Sequence, residues 1–255
     1  MPSWSPSQYL KFEEERTRPA AELLARISVA APQKVVDVGC GPGNSTELLV
    51  RRWPQASVAG FDTSDDMRRA AAARLPTCRF FKADAATWLP TDEDIVFANA
   101  VFQWVSGHVA AIAAVFGAMR PGAVLAVQMP DNFNEPVHEA MRAAASEGPW
   151  SKTLQDLSTR EGVAPAGAYY DALARQARRL DLWHTHYHHV VADAGAIVEW
   201  MKATGLRPYL DRLPGAAADE FLDAYRRRLE SAYPPRANGA TIFTAPRFFL
   251  VADRA

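Results

Sequence analysis

The residues best suited to bind a ligand stand in a glycine-rich turn near the start of the chain. An apolar run, Val35 to Val38, passes directly into the turn Gly39-Cys40-Gly41-Pro42-Gly43, and Asn44, Ser45 and Thr46 can then cap a helix. Glycine carries no Cβ, so a ligand can approach the bare backbone of such a turn. The pattern G-x-G-x-G differs from the dinucleotide fingerprint G-x-G-x-x-G, because Asn44 stands where the third glycine would be.

An acidic residue follows the next predicted strand. Asp62 comes roughly twenty residues after the glycine turn, where a carboxylate can accept hydrogen bonds from both hydroxyls of a ribose. Together with the glycine turn, Asp62 indicates a nucleoside ligand without a pyrophosphate. Two further polar residues, Asp84 and Asn99, follow the third and fourth predicted strands.

Strands and helices alternate from residue 19 to about residue 128. The predicted helices cover 19–27, 44–52, 64–74 and 108–119, and the predicted strands cover 34–38, 57–61, 79–82, 94–98 and 123–128. Repeated βα units imply a parallel sheet with helices on both faces, which is a Rossmann-like, doubly wound α/β fold. Ligands on such sheets bind beyond the carboxyl ends of the strands, so one crevice should collect Gly39, Asp62, Asp84 and Asn99.

The alternation stops after Pro130. We predict helices over 135–146, 150–160, 169–180, 194–204 and 216–231, an extended segment over 183–192 and a closing strand over 247–252. This pattern predicts a sheet domain made of residues 1–131 and 183–255. A helical insertion, residues 132–182, would interrupt that domain and cap the crevice.

Composition excludes several classes of protein. A length of 255 residues suits one α/β domain with an insertion, and the net charge of −1 provides no general attraction for nucleic acid or an anionic membrane. The two cysteines, Cys40 and Cys78, lack metal-ligand spacing and fit reduced thiols. The chain shows no signal-peptide pattern and no apolar run of membrane-spanning length. We therefore expect a cytoplasmic protein. We also expect a monomer or a weak homo-oligomer.

Three alternating histidines raise the question of a metal site. On a strand, His184, His186 and His188 would share one face and could bind a metal ion. Since no acidic partner accompanies them, a solvated face is the better interpretation, and we predict no metal. The basic run Arg226-Arg227-Arg228 is interpreted in the same way, because its side chains would point in different directions around a helix.

At the glycine turn and the polar strand ends, the chain resembles the class I S-adenosylmethionine-dependent methyltransferases. The matching residues are Asp37 to Gly43, Asp62, Asp84-Ala85 and Asn99. The resemblance implies S-adenosyl-L-methionine as the cofactor, with the ribose held by Asp62 and the adenine placed near Asp84. It implies cofactor contacts from Tyr9, Arg16, Asp37, Gly39, Gly41, Asn44, Asp62, Thr63, Met67, Asp84, Ala85 and Asn99.

Motifs along nearly the whole chain resemble the trans-aconitate 2-methyltransferase family in particular. They are Tyr9 to Pro19, Asn99 to Val105, Met129 to Asn132, Gly148 to Trp150, Tyr169 to Asp171, Asp181 to Trp183, Tyr187 to His189 and Glu199 to Pro208. This resemblance implies methylation of one carboxylate of a small polycarboxylate such as trans-aconitate, giving a monomethyl ester. The candidate substrate-binding residues are Arg207, Arg18, Gln103, Trp104, Tyr187 and His189.

The expected chemistry needs no acid or base from the protein. A carboxylic acid with a pKa of about 4 is already an anion at neutral pH, so it can attack a methyl group directly. Two alternatives remain open at this point. One is a carboxyl methyltransferase of a carrier-bound dicarboxylate, of the malonyl-carrier type. The other is a protein that binds S-adenosylmethionine and transfers nothing.

Overall fold

The structure, a computed structural model, describes residues 13–157, 161–202 and 204–255, with side chains from residue 17 onward. The helices are α1 (Glu13–Ala25), α2 (Asn44–Arg52), α3 (Asp65–Arg74), α4 (His108–Ala118), α5 (Pro136–Glu147), α6 (Ser151–Leu154), α7 (Ala166–Leu173), α8 (Ala194–Lys202), α9 (Arg207–Leu210) and α10 (Ala216–Ala232). The strands are β1 (Lys34–Val38), β2 (Ser57–Phe61), β3 (Arg79–Phe81), β4 (Ile95–Asn99), β5 (Val124–Pro130), β6 (Ala177–Val191) and β7 (Thr241–Arg254).

The strands form one seven-stranded sheet in the order β3-β2-β1-β4-β5-β7-β6. The first five strands pair in parallel, and β7 runs antiparallel to β5. The register places Val38 of β1 beside Ala98 of β4, and Asn99 of β4 beside Gln128 of β5. The predicted Rossmann-like α/β fold is therefore confirmed.

The described chain divides into two compact units, and each is described by itself. The sheet unit contains residues 13–130, 163–185 and 247–255. The helix-rich unit contains the described residues of 131–162 and 186–246. No helix in the described ranges is long and apolar enough to cross a membrane.

The helix-rich unit begins within one residue of the insertion start predicted at 132, but it does not continue to 182 and it also contains residues 186–246. Residues 163–182 belong to the sheet unit because Tyr169 and Leu173 of α7 are fully buried in its hydrophobic core. The helix predicted over 169–180 is correct only for residues 169–173: α7 ends at Leu173, and β6 begins at Ala177. Leu180 and Leu182, two residues apart, both pack against the core, which is the spacing of a strand face.

The two faces of the sheet unit are covered differently. Alternate residues of the central strands join α4 and α7 in the main core, among them Val36, Val38, Val96, Ala98, Val127 and Met129. The helix α1 packs against β5 and α2. Because strand side chains alternate between faces, the residues between those core positions point to the other face. Asp37, Asn99 and Gln128 occupy such positions.

Candidate functional site

The three glycines of the turn have left-handed backbone conformations but different surroundings. Their φ angles are 64° at Gly39, 53° at Gly41 and 93° at Gly43. A Cβ added at Gly39 would lie 2.4 Å from Cγ2 of Val101, and one added at Gly43 would lie 3.3 Å from Cα of Ala71. A Cβ at Gly41 would meet nothing within 4 Å. Gly41 is therefore the glycine whose backbone faces open space, whereas the other two allow close packing within the protein.

The turn forms one wall of an open cleft in the sheet unit. The cleft lies between α1, the glycine turn and the end of β4. Its lining residues are Thr17, Ala20, Gly39, Cys40, Gly41, Pro42, Asn44, Ser45 and Asn99. Of the four residues predicted to share one crevice, Gly39 and Asn99 line this cleft, whereas Asp62 and Asp84 are not among its lining residues. The cofactor candidates Gly41 and Asn44 also line it.

Asp62 lies immediately beside the turn. Its Oδ2 accepts a hydrogen bond from the backbone N–H of Gly41 at 3.1 Å, and its Oδ1 accepts one from the N–H of Ser64 at 2.8 Å. Burial raises the pKa of the Asp62 carboxyl. The guanidinium of Arg68 donates to the Asp62 carbonyl oxygen at 2.6 Å. These bonds fix the carboxylate at the end of β2.

Asp37 lies beneath the turn and is fully buried. Its Oδ2 accepts hydrogen bonds from the hydroxyls of Ser45 at 2.7 Å and Thr46 at 2.6 Å. Burial raises the pKa of Asp37 to about 7. The structure corrects the predicted helix cap: the N-cap of α2 is Gly43, and the hydroxyls of the first turn bind Asp37 instead.

The residues predicted near the adenine and ribose follow β2 and β3. Asp84 accepts a hydrogen bond at Oδ1 from the N–H of Ala86 at 2.9 Å, and Ala85 is buried in the core. Ser64 is the predicted N-cap of α3, since its Oγ accepts from the N–H of Met67 at 3.4 Å. Met67 itself is buried. Thr63 lies between Asp62 and this cap.

The segment after β4 has an unusual backbone. Ala100 has a φ of 58°, a left-handed conformation that costs a non-glycine residue free energy. The side-chain Nε2 of Gln103 donates to the Ala100 carbonyl oxygen at 2.6 Å. Gln103 is buried, and its Oε1 has no hydrogen-bond partner in the described part of the chain. Trp104, in the same short 3₁₀ helix, is partly exposed.

The remaining substrate candidates fall in both units. Arg18 is exposed on α1 of the sheet unit. Arg207 begins α9 of the helix-rich unit, and its Nε lies 3.3 Å from Oδ1 of Asp211. Tyr187 is buried in that unit, and its ring stacks on His189 with centroids 6.3 Å apart. The ring of His189 also packs 4.8 Å from that of Trp200.

Two predicted cofactor contacts cannot be placed. Tyr9 and the side chain of Arg16 lie outside the described residues. The alternating histidines engage different neighbours: His184 packs 5.2 Å from the ring of Phe248, and Nδ1 of His188 lies 3.0 Å from Oγ1 of Thr244. Across residues 13–157, 161–202 and 204–255, no group of three or more histidine, cysteine or acidic side chains could hold a metal ion.

Sequence reasoning missed two polar residues on the cleft side of the sheet. Thr17 of α1 lines the cleft. Gln128 is fully buried in β5, one strand away from Asn99. The signal for Gln128 was present in the sequence, because it is a single polar side chain in the otherwise apolar strand V-L-A-V-Q-M-P.

Comparison with known proteins identifies the class. A family profile described as "Methyltransferase domain" matches residues 35–122. The YcgJ protein from Bacillus subtilis has the same fold, with a TM-score of 0.61 over 93% of this chain and 99% of that chain at 10% identity. The fold, the glycine turn and the profile match define a class I methyltransferase.

Sequence identity to known proteins identifies the family within this class. The chain is 54% identical over 254 residues to trans-aconitate 2-methyltransferase from Rhodopseudomonas palustris, covering 99% of each protein. It is 52% identical over 260 residues to the protein of the same name from Methylobacterium radiotolerans, covering 100% of each. The chain belongs to the trans-aconitate 2-methyltransferase family, which confirms the resemblance seen in the sequence.

Proposed function

We propose that this protein transfers the methyl group of S-adenosyl-L-methionine to one carboxylate of a small polycarboxylate, with trans-aconitate the first candidate. The product would be a monomethyl ester. The observation that carries this proposal is the open backbone of Gly41 beside the bonded carboxylate of Asp62. The identity of 54% to a relative named for that reaction supports the choice of acceptor.

The charges around the turn favour a cationic ligand. Asp37 and Asp62 both lie next to the glycine turn, and their mutual repulsion is one of the causes that raise the pKa of Asp37, after burial. Negative charge on either carboxyl would repel the pyrophosphate of a dinucleotide and attract a sulfonium or ammonium group. The residues present therefore fit S-adenosylmethionine.

The proposal assigns a part of the cofactor to each element. Asp62 would hold the ribose hydroxyls, and Asp84 with the backbone of Ala85 would lie at the adenine. Gly39, Gly41 and Asn99 would meet the amino-acid end. The last assignment is supported by the cleft, which is lined by both the glycine turn and Asn99 at the end of β4.

The reaction requires no proton transfer. When bound, S-adenosylmethionine supplies a methyl group on a positively charged sulfur. A carboxylate oxygen of the acceptor would form the new O–C bond as the C–S bond broke, and the electron pair of that bond would stay on the sulfur. Holding two reactants in line can supply on the order of 7–11 kcal/mol of the barrier.

No nucleophile from the protein is needed. Cys40 lines the cleft, but burial, followed by the nearby charges of Asp37 and Asp62, raises the pKa of its thiol. The thiol therefore stays protonated and is a poor nucleophile. Cys40 and Cys78 are both free thiols, which supports the proposed reducing, cytoplasmic compartment.

Arg207 is the first candidate to bind a carboxylate that the reaction leaves unmodified. Its guanidinium is half-buried, and the nearby Asp211 is its counter-ion. A guanidinium can hold a carboxylate through two parallel hydrogen bonds. Further candidates for acceptor binding are Arg18, Gln103, Trp104, Tyr187 and His189.

A panel of acceptors tests the proposal. S-adenosylhomocysteine formation would be measured with trans-aconitate, with free malonate, with malonyl-loaded carrier protein and without acid. We expect turnover with trans-aconitate and little with the others. Turnover only with the carrier-linked acid would support the malonyl-carrier alternative instead. Absence of turnover with every acid, despite cofactor binding, would support a non-catalytic binder.

A further inference from the structure

Gln128 carries a fully buried side-chain amide in the middle of the sheet. Its relative exposure is 0%, and neither its Nε2 nor its Oε1 has a hydrogen-bond partner in the described part of the chain. Leaving a buried polar group unpaired is energetically costly, so such groups generally have a partner. A polar side chain kept in an apolar strand at this cost indicates that a ligand completes its hydrogen bonds.

Other polar atoms without partners lie on the same side of the sheet. They are Oδ1 of Asn99, Oδ1 of Asp37 and Oγ1 of Thr17, each buried and without a partner in the described residues. Thr17 and Asn99 line the cleft directly. Together with the Gln128 amide they form what we call the orphan cluster.

The strand register places two members of the cluster, Gln128 and Asn99, side by side. Gln128 pairs with Asn99 across β4 and β5, and the backbone N–H of Ala100 donates to the Gln128 carbonyl oxygen at 2.9 Å. Val127 and Met129 belong to the core on the opposite face, so the Gln128 side chain points to the face that carries Asn99. Neighbouring strands lie about 5 Å apart, which is within the reach of two amide side chains.

The chemistry of the cluster matches an amino acid. Two amide oxygens that can only accept hydrogen bonds, on Asn99 and Gln128, suit an ammonium group, which carries three donors and no acceptor. The Gln128 Nε2 and the Thr17 hydroxyl can donate to a carboxylate. A tricarboxylate alone would leave these two amide oxygens unpaired.

We propose that Gln128, acting with Asn99 and Thr17, binds the amino-acid end of S-adenosylmethionine. The Oε1 of Gln128 accepts from the α-ammonium group, and its Nε2 donates to the α-carboxylate. Gln128 is thus a specificity residue for the methionine part of the cofactor. This inference rests on the proposed function.

A truncated ligand isolates this contact. S-adenosylhomocysteine contains the amino-acid end, whereas 5′-methylthioadenosine has the same adenosyl thioether without it. In Gln128→Met, which keeps the side-chain shape and removes the amide, we expect about tenfold weaker binding of S-adenosylhomocysteine, equivalent to 1.4 kcal/mol. Binding of 5′-methylthioadenosine should not change, and the melting temperature of the ligand-free protein should not fall, because no hydrogen bond is lost.

Two further variants make the test independent of one substitution. Thr17→Val removes a hydroxyl at constant shape. It should also weaken the binding of S-adenosylhomocysteine and leave the binding of 5′-methylthioadenosine unchanged. Met129→Leu is the matched control, because it keeps the volume of a β5 residue that faces the opposite core. Both ligands should bind Met129→Leu as they bind the wild type.

Other outcomes would overturn the inference. Equal weakening of both ligands in Gln128→Met would make the residue structural. If Gln128→Met binds S-adenosylhomocysteine as the wild type does but has a raised Michaelis constant for the acid, Gln128 contacts the acceptor instead of the cofactor. A wild type that bound neither ligand would contradict the proposed function itself. The inference is supported if Gln128→Met loses affinity for S-adenosylhomocysteine and keeps its affinity for 5′-methylthioadenosine.

Discussion

The Oδ2 atom of Asp62 accepts a hydrogen bond from the backbone N–H of Gly41 at 3.1 Å. This bond joins the end of β2 to the one glycine of the turn whose backbone faces open space. The carboxylate and the exposed peptide are thereby held together before any ligand binds. Such preorganisation reduces the entropy that binding must overcome.

Removing the Asp62 carboxylate should weaken the cofactor complex. A hydrogen bond to a charged group contributes about 1.5–3 kcal/mol, so Asp62→Ala should lower the affinity for S-adenosylmethionine roughly tenfold to a hundredfold. Isothermal titration calorimetry measures this loss. Asp66→Ala is the matched control, since Asp66 is exposed on α3 and pairs with Arg69. Wild-type affinity in Asp62→Ala would refute the ribose assignment.

The glycines of the turn should respond differently to alanine. Gly39→Ala should lower the free energy of unfolding strongly, because its Cβ would clash with Val101 at 2.4 Å. In Gly41→Ala the cost should be about 1 kcal/mol, from the positive φ alone, while cofactor affinity falls. Urea denaturation and calorimetry separate the two effects.

A double-mutant cycle checks the reason for the Gly39 effect. Val101→Gly should restore part of the stability that Gly39→Ala removes, so the two changes should couple by more than about 0.5 kcal/mol. Additive losses would show that Val101 does not limit the space at Gly39.

Arg207 should affect the acceptor and leave the cofactor unaffected. Its ion pair with Asp211 is partly exposed and contributes at most about 1 kcal/mol to stability, so Arg207→Ala should fold. We expect a Michaelis constant for trans-aconitate raised at least about tenfold with unchanged cofactor affinity. Arg212→Ala is the control, because Arg212 is exposed and contacts the Thr153 carbonyl oxygen at 3.5 Å. If Arg207→Ala and Arg212→Ala have the same Michaelis constant for trans-aconitate, Arg207 does not belong to the acceptor site.

Asp37 should make stability depend on pH. Burial raises its pKa in the folded protein from 3.8 to about 7. Between these values the folded protein holds a proton that the unfolded chain has released, so stability falls as the pH rises. From about pH 5 to about pH 7, the ligand-free wild type should lose about 2 kcal/mol more than Asp37→Asn. Urea denaturation measures these losses. If the wild type and Asp37→Asn lose the same free energy of unfolding, Asp37 does not titrate in this range.

Local patterns predicted the elements that carry the glycine turn. The bounds predicted for β1, α2 and β2 match the structure, because each is short, apolar on its buried side and ended by a turn signal. The start of β6 was not predicted. Arg178, Arg179 and Asp181 are compatible with an exposed helix, and only packing of Leu180 and Leu182 against the core selects the strand.

Parts of the candidate site could be proposed from the sequence where a residue type implies a ligand. Asp62 and Gly41 could be predicted because an acid at a strand end and a glycine turn together are typical of a nucleoside site. Gln128 was missed because its importance depends on its pairing with Asn99. The two residues are 29 positions apart in the sequence, and only the fold places them side by side. The constraint on Gly39 likewise comes from Val101, a contact that no local pattern contains.

Calorimetric titration of the purified protein with S-adenosylhomocysteine shows whether the glycine turn holds the cofactor. We expect saturable binding at one site per chain, weakened at least about tenfold in Asp62→Ala and retained in Asp66→Ala. A folded wild-type protein that binds neither this ligand nor S-adenosylmethionine would contradict the assignment of the glycine turn.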